Sequence, residues 1–410
     1  MEKRLFILSF VMFFYSCLQN KPTVGEHGDV DEFKDYLKIS YDSEQAKTFD
    51  QSGLIDTVIY LPLETRRDCE FSHIDQLEVS KSHFIILDKG ANEIFFYDKK
   101  GRFVNKISPY NKDIPTPYQA IQRISIDKKK GVLAFNDIHS DKIYEFDLDA
   151  KFLNQRTRTI SDDNKNDFHV FDHNEISLNY FYSAAVEKQD QLPAITVKNN
   201  SNNNTFNYLY YNPNIIDHED FIGLNKYFYD SNLNYLLIAK PYDYTIYRYD
   251  TKNILTKYFT LELPAERSLP EDFISSEFYS AKRIKYLKGN HAVIYSIADI
   301  YEAGNWMSLR TYSTGNITNY LYYKTNKKLL DLNYIVSTNR TYFLPIIGRE
   351  ILGVDRDYFV STVPCALLIK FITEEIGKKD YWNSLPESLK AIYKAGNDQN
   401  NILLLTKLKS

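Results

Sequence analysis

Two histidines four residues apart, His169 and His173, are the only close histidine pair in this 410-residue chain. On a strand, positions four apart share a face. Asp167 or Asp172 could then add a carboxylate, giving a nitrogen–oxygen ligand set of the kind that holds a divalent cation. The competing reading puts both histidines on a solvated loop beside the charged stretch from Ser161 to Asp167, and no metal site is expected. Three aspartates, Asp88, Asp137 and Asp250, could act as calcium ligands or catalytic acids. Each closes an apolar run and precedes Lys, Ile or Thr near a Gly or Asn, which fits a turn residue better. Trp306, within Glu302-Ala-Gly-Asn-Trp306, could stack on a sugar ring or another flat ligand, or pack against its own sheet. The Asn-rich stretch from Asn199 to Asn204 reads as a hairpin tip exposed to solvent.

No nucleophile elbow, phosphate-binding loop, dinucleotide fingerprint, H-E-x-x-H or EF-hand loop occurs in the chain. The expectation therefore leans away from an enzyme, and no cofactor is expected, with calcium reserved for the case in which it is one. A net charge of −4 argues against nucleic acid as a partner. An apolar content of 43% with 34 Tyr and 26 Phe argues for a folded, strand-rich chain.

The elements that would position these residues repeat along the sequence. His83-Phe-Ile-Ile-Leu-Asp88, Glu93-Ile-Phe-Phe-Tyr-Asp98 and Arg102-Phe-Val-Asn-Lys-Ile107 are three short strands separated by turns. The pattern returns at Gly131 to Leu153 and at Tyr235 to Tyr258. Aromatic-Asp endings at Asp98, Asp147 and Asp250 lie 49 and 103 residues apart, one period and then two. A weaker copy spans Glu175 to Tyr211. A further copy spans Ala292 to Tyr323, and the last begins near Tyr334-Ile-Val336 and includes Tyr358 to Thr362. A unit of three or four strands cannot cover both of its faces alone, so neighbours must stack. Repeats of this length, each a four-stranded meander, predict a six-bladed β-propeller over residues 51–410. The strands Thr57–Leu63 and Asn401–Leu408 are the candidates for closing the ring in one blade, which removes an exposed edge. Leu385 to Ala395 reads as a short helix, with Ser384 as its cap and Gly396 as its end.

The N-terminus carries an address. Glu2, Lys3 and Arg4 precede an apolar run from Leu5 to Tyr15, too short for the ~20 residues of a membrane span. The run ends in Ser16-Cys17, which resembles the lipobox of bacterial lipoproteins, whose cysteine is lipidated and becomes the mature N-terminus. Residues 1–16 are then a signal peptide, and residues 17–50 a tether and lead-in. Cys69 and Cys365 remain, either as buried free thiols or as a disulfide closing a long loop.

The chain as a whole resembles the six-bladed β-propeller lipoproteins of gut bacteria, within the NHL-like and TolB-like propeller group. The likeness lies in Cys17, in Tyr60-Leu-Pro-Leu-Glu-Thr65, in the hairpin from Phe84 to Gly101, and in Asp398 to Lys409. The stretch from Ser108 to Gln119 departs from it, with Pro109, Pro115 and Pro117 but no Gly. The resemblance implies a propeller and an envelope location, with no settled activity. With Leu18-Gln19-Asn20 and no Asp just after Cys17, the expected location is the outer membrane, facing the periplasm or the surface. The expected role is a binding or scaffold module that holds an envelope protein, peptide or glycan on its top face. The alternative is a propeller enzyme, lyase-like or lactonase-like, with its site at the central channel.

Overall fold

A computed structural model describes residues 26–42, 44–47, 53–140, 142–157, 167–172, 174–180, 190–199, 202, 204–231, 234–378, 380–397 and 399–409. Three strands form before the first full repeat: β1 (Glu26–His27), β2 (Asp31–Ser40) and β3 (Ile55–Pro62). The first blade is then β4 (Gln76–Val79), β5 (His83–Asp88), β6 (Glu93–Asp98) and β7 (Phe103–Ile107), each antiparallel to the next. The second is β8 (Ile121–Asp127), β9 (Val132–Asp137), β10 (Lys142–Asp147) and β11 (Phe152–Thr157). The third is β12 (Asp167–Phe171), β13 (Asn174–Leu178), β14 (Leu192–Asn199) and β15 (Thr205–Tyr211). The fourth is β16 (Phe228–Asp230), β17 (Tyr235–Ile238), β18 (Thr245–Asp250) and β19 (Leu255–Glu262). A connection carrying helix α1 (Arg283–Gly289) leads to the fifth, β20 (Ile294–Ala303), β21 (Trp306–Ser313), β22 (Ile317–Tyr323) and β23 (Lys328–Asp331). The sixth holds β24 (Ile351–Asp355), β25 (Tyr358–Val363) and β26 (Ile402–Leu408), completed by β3. The molecule is a six-bladed β-propeller.

The middle strands are buried on both faces because each sheet is packed between two others. All six residues of β5 are buried, whereas β7 at the rim is buried only at Ile107. The aromatic-Asp endings are turn devices, as their residue types predict. The Asp98 carboxylate accepts Lys100 N (2.8 Å) and Arg102 N (3.0 Å), and Asp147 accepts Asp149 N (3.0 Å) and Lys151 N (2.8 Å). Gly101 closes the first of these turns at φ +78°, and a Cβ there would stand 2.1 Å from Pro62 O. Only glycine lets the turn approach β3 this closely, and the approach is used, since Glu64 N donates to Gly101 O (2.8 Å).

Ring closure follows the expected scheme. β26 pairs antiparallel with β3 from Ile402 opposite Pro62 to Leu408 opposite Ile55, so one blade contains both ends of the propeller. The lead-in does more than connect. β1 adds to β15, and β2 to β19, both in parallel, as fifth strands on the third and fourth blades. The Tyr41 hydroxyl then meets that of Tyr320 in the fifth blade (2.9 Å). The lead-in therefore runs along the outer rim of three blades before β3 completes a fourth.

Two readings of the last repeat change. Its inner strand is Ile351–Asp355, while Leu332–Tyr334 is a single 3₁₀ turn whose Asn333 N is capped by Asp331 (2.9 Å). Between β25 and β26 lie α2 (Cys365–Ile376), α3 (Tyr381–Ser384) and α4 (Glu387–Ala395). Helix α4 and its end at Gly396 match expectation, but Pro386 occupies the cap, and the Ser384 hydroxyl donates instead to Tyr381 O (2.7 Å). Cys69 and Cys365 are buried free thiols, not a disulfide.

Candidate functional site

The inner strand of every blade runs toward the same face, so the turns that follow β4, β8, β12, β16 and β24 gather around one mouth of the central channel. They line a cavity of about 520 Å³. Val79, Ile126, Val170 and Val354 form an apolar collar, one from each of four strand ends, and charged residues occupy the rim above it. The rim is organised as ion pairs between blades. Lys129 of the second blade meets Asp172 of the third (2.7 Å), and Lys99 of the first meets Asp355 of the sixth (3.1 Å). Lys128 approaches Asp230 of the fourth blade at 3.9 Å. Such a mouth suits a ligand with both polar and apolar parts: side-chain charges of both signs surround hydrocarbon walls.

Below this rim sits a buried relay across three blades. Asp230 Oδ1 lies 3.2 Å from His169 Nε2, and His169 Nδ1 lies 3.1 Å from Ser125 Oγ, which also accepts Val170 N (2.9 Å). The His169 ring stacks on Phe228 at 5.5 Å. Both ring nitrogens are thus engaged, on a strand and not on a loop. His173 lies outside the described residues. Among the described residues no three His, Cys, Asp or Glu side chains are grouped to hold a metal ion.

Burial alone would raise the Asp230 carboxyl, but the electrostatic pull of the neighbouring His169 and Lys128 and the His169 hydrogen bond outweigh it. They hold the group down at about 2, against an ordinary value of 3.8. A carboxyl depressed in the folded state stabilises the fold above its unfolded value and loses that contribution as pH falls through its folded one. Asp230→Asn should cost about 2 kcal/mol at pH 7. The gap to the parent should close as pH falls from 4 toward 2, read as urea midpoints across a pH series. A gap that stays constant over that range would show that the carboxylate charge contributes nothing.

The other end of the channel is nearly closed, with a cavity of about 40 Å³. A bulge in β20 between Ala298 and Tyr301 puts Asp299 at φ +52° and turns it inward. Its carboxylate accepts Tyr312 OH (2.5 Å) and pairs with Arg310 (3.0 Å), which also holds Glu350 (2.7 Å). Burial pushes the Asp299 carboxyl up, against the pull of Arg310. Beside it Lys226 pairs with Glu78, and Gln76 donates to Glu78 (2.8 Å) and Ile124 O (2.7 Å). These groups satisfy one another and plug the channel. The long connections between blades lie on this closed side, so the larger cavity opens away from them.

The remaining candidates fall outside the mouth. Asp88 accepts Ser72 N (2.7 Å) and Ala91 N (3.0 Å), Asp137 accepts Gln119 N and Ala120 N (both 3.0 Å), and Asp250 accepts Lys252 N (2.9 Å). All three organise turns. Trp306 starts β21, 3% exposed, stacked on Tyr323 at 4.4 Å with its indole N–H donating to Lys409 O (2.6 Å). It packs on its own blade, is tied to the end of the sixth, and presents no ring to a ligand. Cys17 lies outside the described residues. Of this rim, Asp127, Asp230 and Asp355 are not singled out in the sequence, and Asp172 is only as a metal ligand beside His169 and His173. Their signal was there: each ends, or directly follows, an inner strand.

Fold and mouth together define a six-bladed propeller with a ligand-sized cavity at one end of a plugged channel. Residues 36–407 match DUF4934, a domain of unknown function, and the chain belongs to that family. Curated proteins provide no match. Among solved structures, an exported protein of Bacteroides fragilis is similar at 18% identity and TM-score 0.68, over 91% of this chain and 100% of that one. A DUF4221 family member from Bacteroides vulgatus follows at 10% identity and TM-score 0.46, over 87% and 97%. Virginiamycin B lyase from Staphylococcus aureus gives 11% identity and TM-score 0.36, over 70% and 76%.

Proposed function

We propose that this protein is a lipid-anchored envelope binding module, which holds part of a protein, peptide or glycan partner in the cavity at the open channel mouth. The observation that carries the reading is the 520 Å³ cavity itself, built from the same turn of five blades and rimmed by inter-blade ion pairs around an apolar collar. A rigid ring presenting such a pocket needs no moving part to bind, so little conformational entropy opposes association. The lipobox-like Ser16-Cys17 supplies the anchor, and the description of the fold-similar Bacteroides protein as exported agrees with that address. Among the described residues no helix is long and apolar enough to cross a membrane.

The test compares the full chain with Cys17→Ala and with Val354→Trp, which fills the cavity. Cys17→Ala should leave the membrane fraction. Val354→Trp should stay there, melt as the parent does, and lose the envelope partner that crosslinking captures with the parent. Equal capture by both would end the cavity reading, and a membrane-bound Cys17→Ala protein would end the anchor. The convergence of Asp127, Asp172, Asp230 and Asp355 on one mouth favours a second reading, the lyase-like or lactonase-like enzyme. It would require turnover that Asp172→Asn or Asp355→Asn abolishes.

A further inference from the structure

The polarity of the strands decides which face the tether leaves from. Successive strands of a blade alternate in direction, so the turns after the first and third strands share a face, and that face carries the cavity mouth. β1 runs parallel to β15, with Glu26 opposite Phe206, just after the turn that joins the third and fourth strands of its blade. Gly28 N donates to Asn207 O (3.0 Å) and holds it there. The described chain therefore begins at the rim of the third blade, on the face of the mouth. Eight residues separate Cys17 from Glu26, and even fully extended they reach roughly 30 Å. Whatever holds Cys17 lies within that distance of this rim.

The same face is cationic, although the chain is net negative. Lys81, Lys100, Lys130, Lys151, Lys252 and Lys327 all lie in its turns and all are exposed. Their acidic neighbours turn inward. Asp98, Asp147 and Asp250 are half-buried and accept backbone N–H groups of their own turns. Asp56, Asp149 and Asp357, with Asp29, Asp31 and Glu32 of the lead-in, are exposed on the same face and temper its charge. Lys128, Lys129, Arg356 and Lys409 are exposed there too, and with the six lysines they outnumber these acids. The turn chemistry that shapes each hairpin thus sorts the charges, with acids toward the sheet and lysines toward solvent.

We propose that the face with the open mouth rests against anionic lipid headgroups of the membrane that anchors the chain, so that the cavity takes its partner from that membrane's surface. The orientation rests on the lipid anchor at Cys17 proposed above. The electrostatic contact does not, because lysines near an anionic surface attract it whether or not a lipid tail is present.

The experiment uses the full chain carrying Cys17→Ala, mixed with vesicles of phosphatidylcholine alone or with phosphatidylglycerol in equal parts, and separated by sedimentation. Binding to the anionic vesicles should exceed binding to the neutral ones by about tenfold and fall as salt is raised. Adding Lys100→Glu, Lys151→Glu, Lys252→Glu and Lys327→Glu should remove the difference without changing the melting temperature. Reversing Lys112, Lys285, Lys288 and Lys394, all exposed on the opposite face, changes net charge equally and should leave most of the binding. Equal loss in both quadruple variants, or no preference for anionic vesicles in the parent, overturns the proposal. Fractionation of Cys17→Ala in cells reports on the anchor separately, so failure of one reading is distinguishable from failure of the other.

Discussion

A chain ending at Asn401 should not fold. Its missing strand, β26, lies between β25 and β3 and hydrogen-bonds to both. Without it the sixth blade keeps two strands, β3 has no partner, and the ring opens. Ile402, Leu403 and Leu404 are at most 1% exposed, and each buried side chain of this size contributes about 2 kcal/mol. Leu403 packs toward the first blade, and Leu404 toward the helices between β25 and β26. Thr406 Oγ1 also donates to Ile346 O. Three such side chains and two strand ladders together match or exceed the 5–15 kcal/mol that holds a typical domain folded. The truncated chain should appear in the insoluble fraction or show no cooperative melt by circular dichroism. Leu404→Ala alone should fold and lose about 2–5 kcal/mol in urea titration. A truncated protein that melts within a few degrees of the parent would show that closure is not what stabilises the ring.

Arg283→Met should cost about 3–5 kcal/mol, more than most single changes. Arg283 is fully buried on α1, yet it is not alone. Its guanidinium donates to Phe273 O (2.8 Å), Ile215 O (2.9 Å), Ile274 O (3.2 Å) and Ser276 O (3.1 Å), and to Asp220 Oδ2 (2.9 Å). It thereby ties two long connections, before and after the fourth blade, to one point. Methionine fills the volume but strands a buried carboxylate and four carbonyls, and the penalty comes from those unpaired groups. Lysine should recover less than half the loss, because a single ammonium cannot reproduce the planar fork. The comparison is read as urea midpoints for parent, Arg283→Met and Arg283→Lys. A lysine variant as stable as the parent would mean that charge alone matters here.

Arg283 also marks a limit of sequence reading. In Arg283-Ile-Lys-Tyr-Leu-Lys-Gly289 it looks like one more surface cation on a short helix. Its burial follows from contacts with residues up to 68 positions away, which no local pattern reports. The lead-in is a second case. Asp31-Glu-Phe-Lys-Asp-Tyr-Leu-Lys-Ile-Ser40 has strand spacing diluted by charge, because as an outermost strand it buries only Ile39 and leaves the rest partly or fully in water. The neighbouring β19 makes it a strand by offering an open edge.

Read alone, the chain specifies its units. Apolar runs ending in aromatic-Asp, the 49-residue spacing and two orphan end strands are enough for six blades and a ring closed by its own termini, because hairpin turns and alternating burial are local demands on residue type. What the ring then places side by side is not local. Asp172 meets Lys129, Asp230 meets His169 and Lys128, and Asp355 meets Lys99. These partners are 43 to 256 residues apart in sequence. Only radial closure brings the ends of five inner strands to one mouth and leaves the other end plugged. The binding site is a property of the circle, whereas each blade is a property of its own fifty residues.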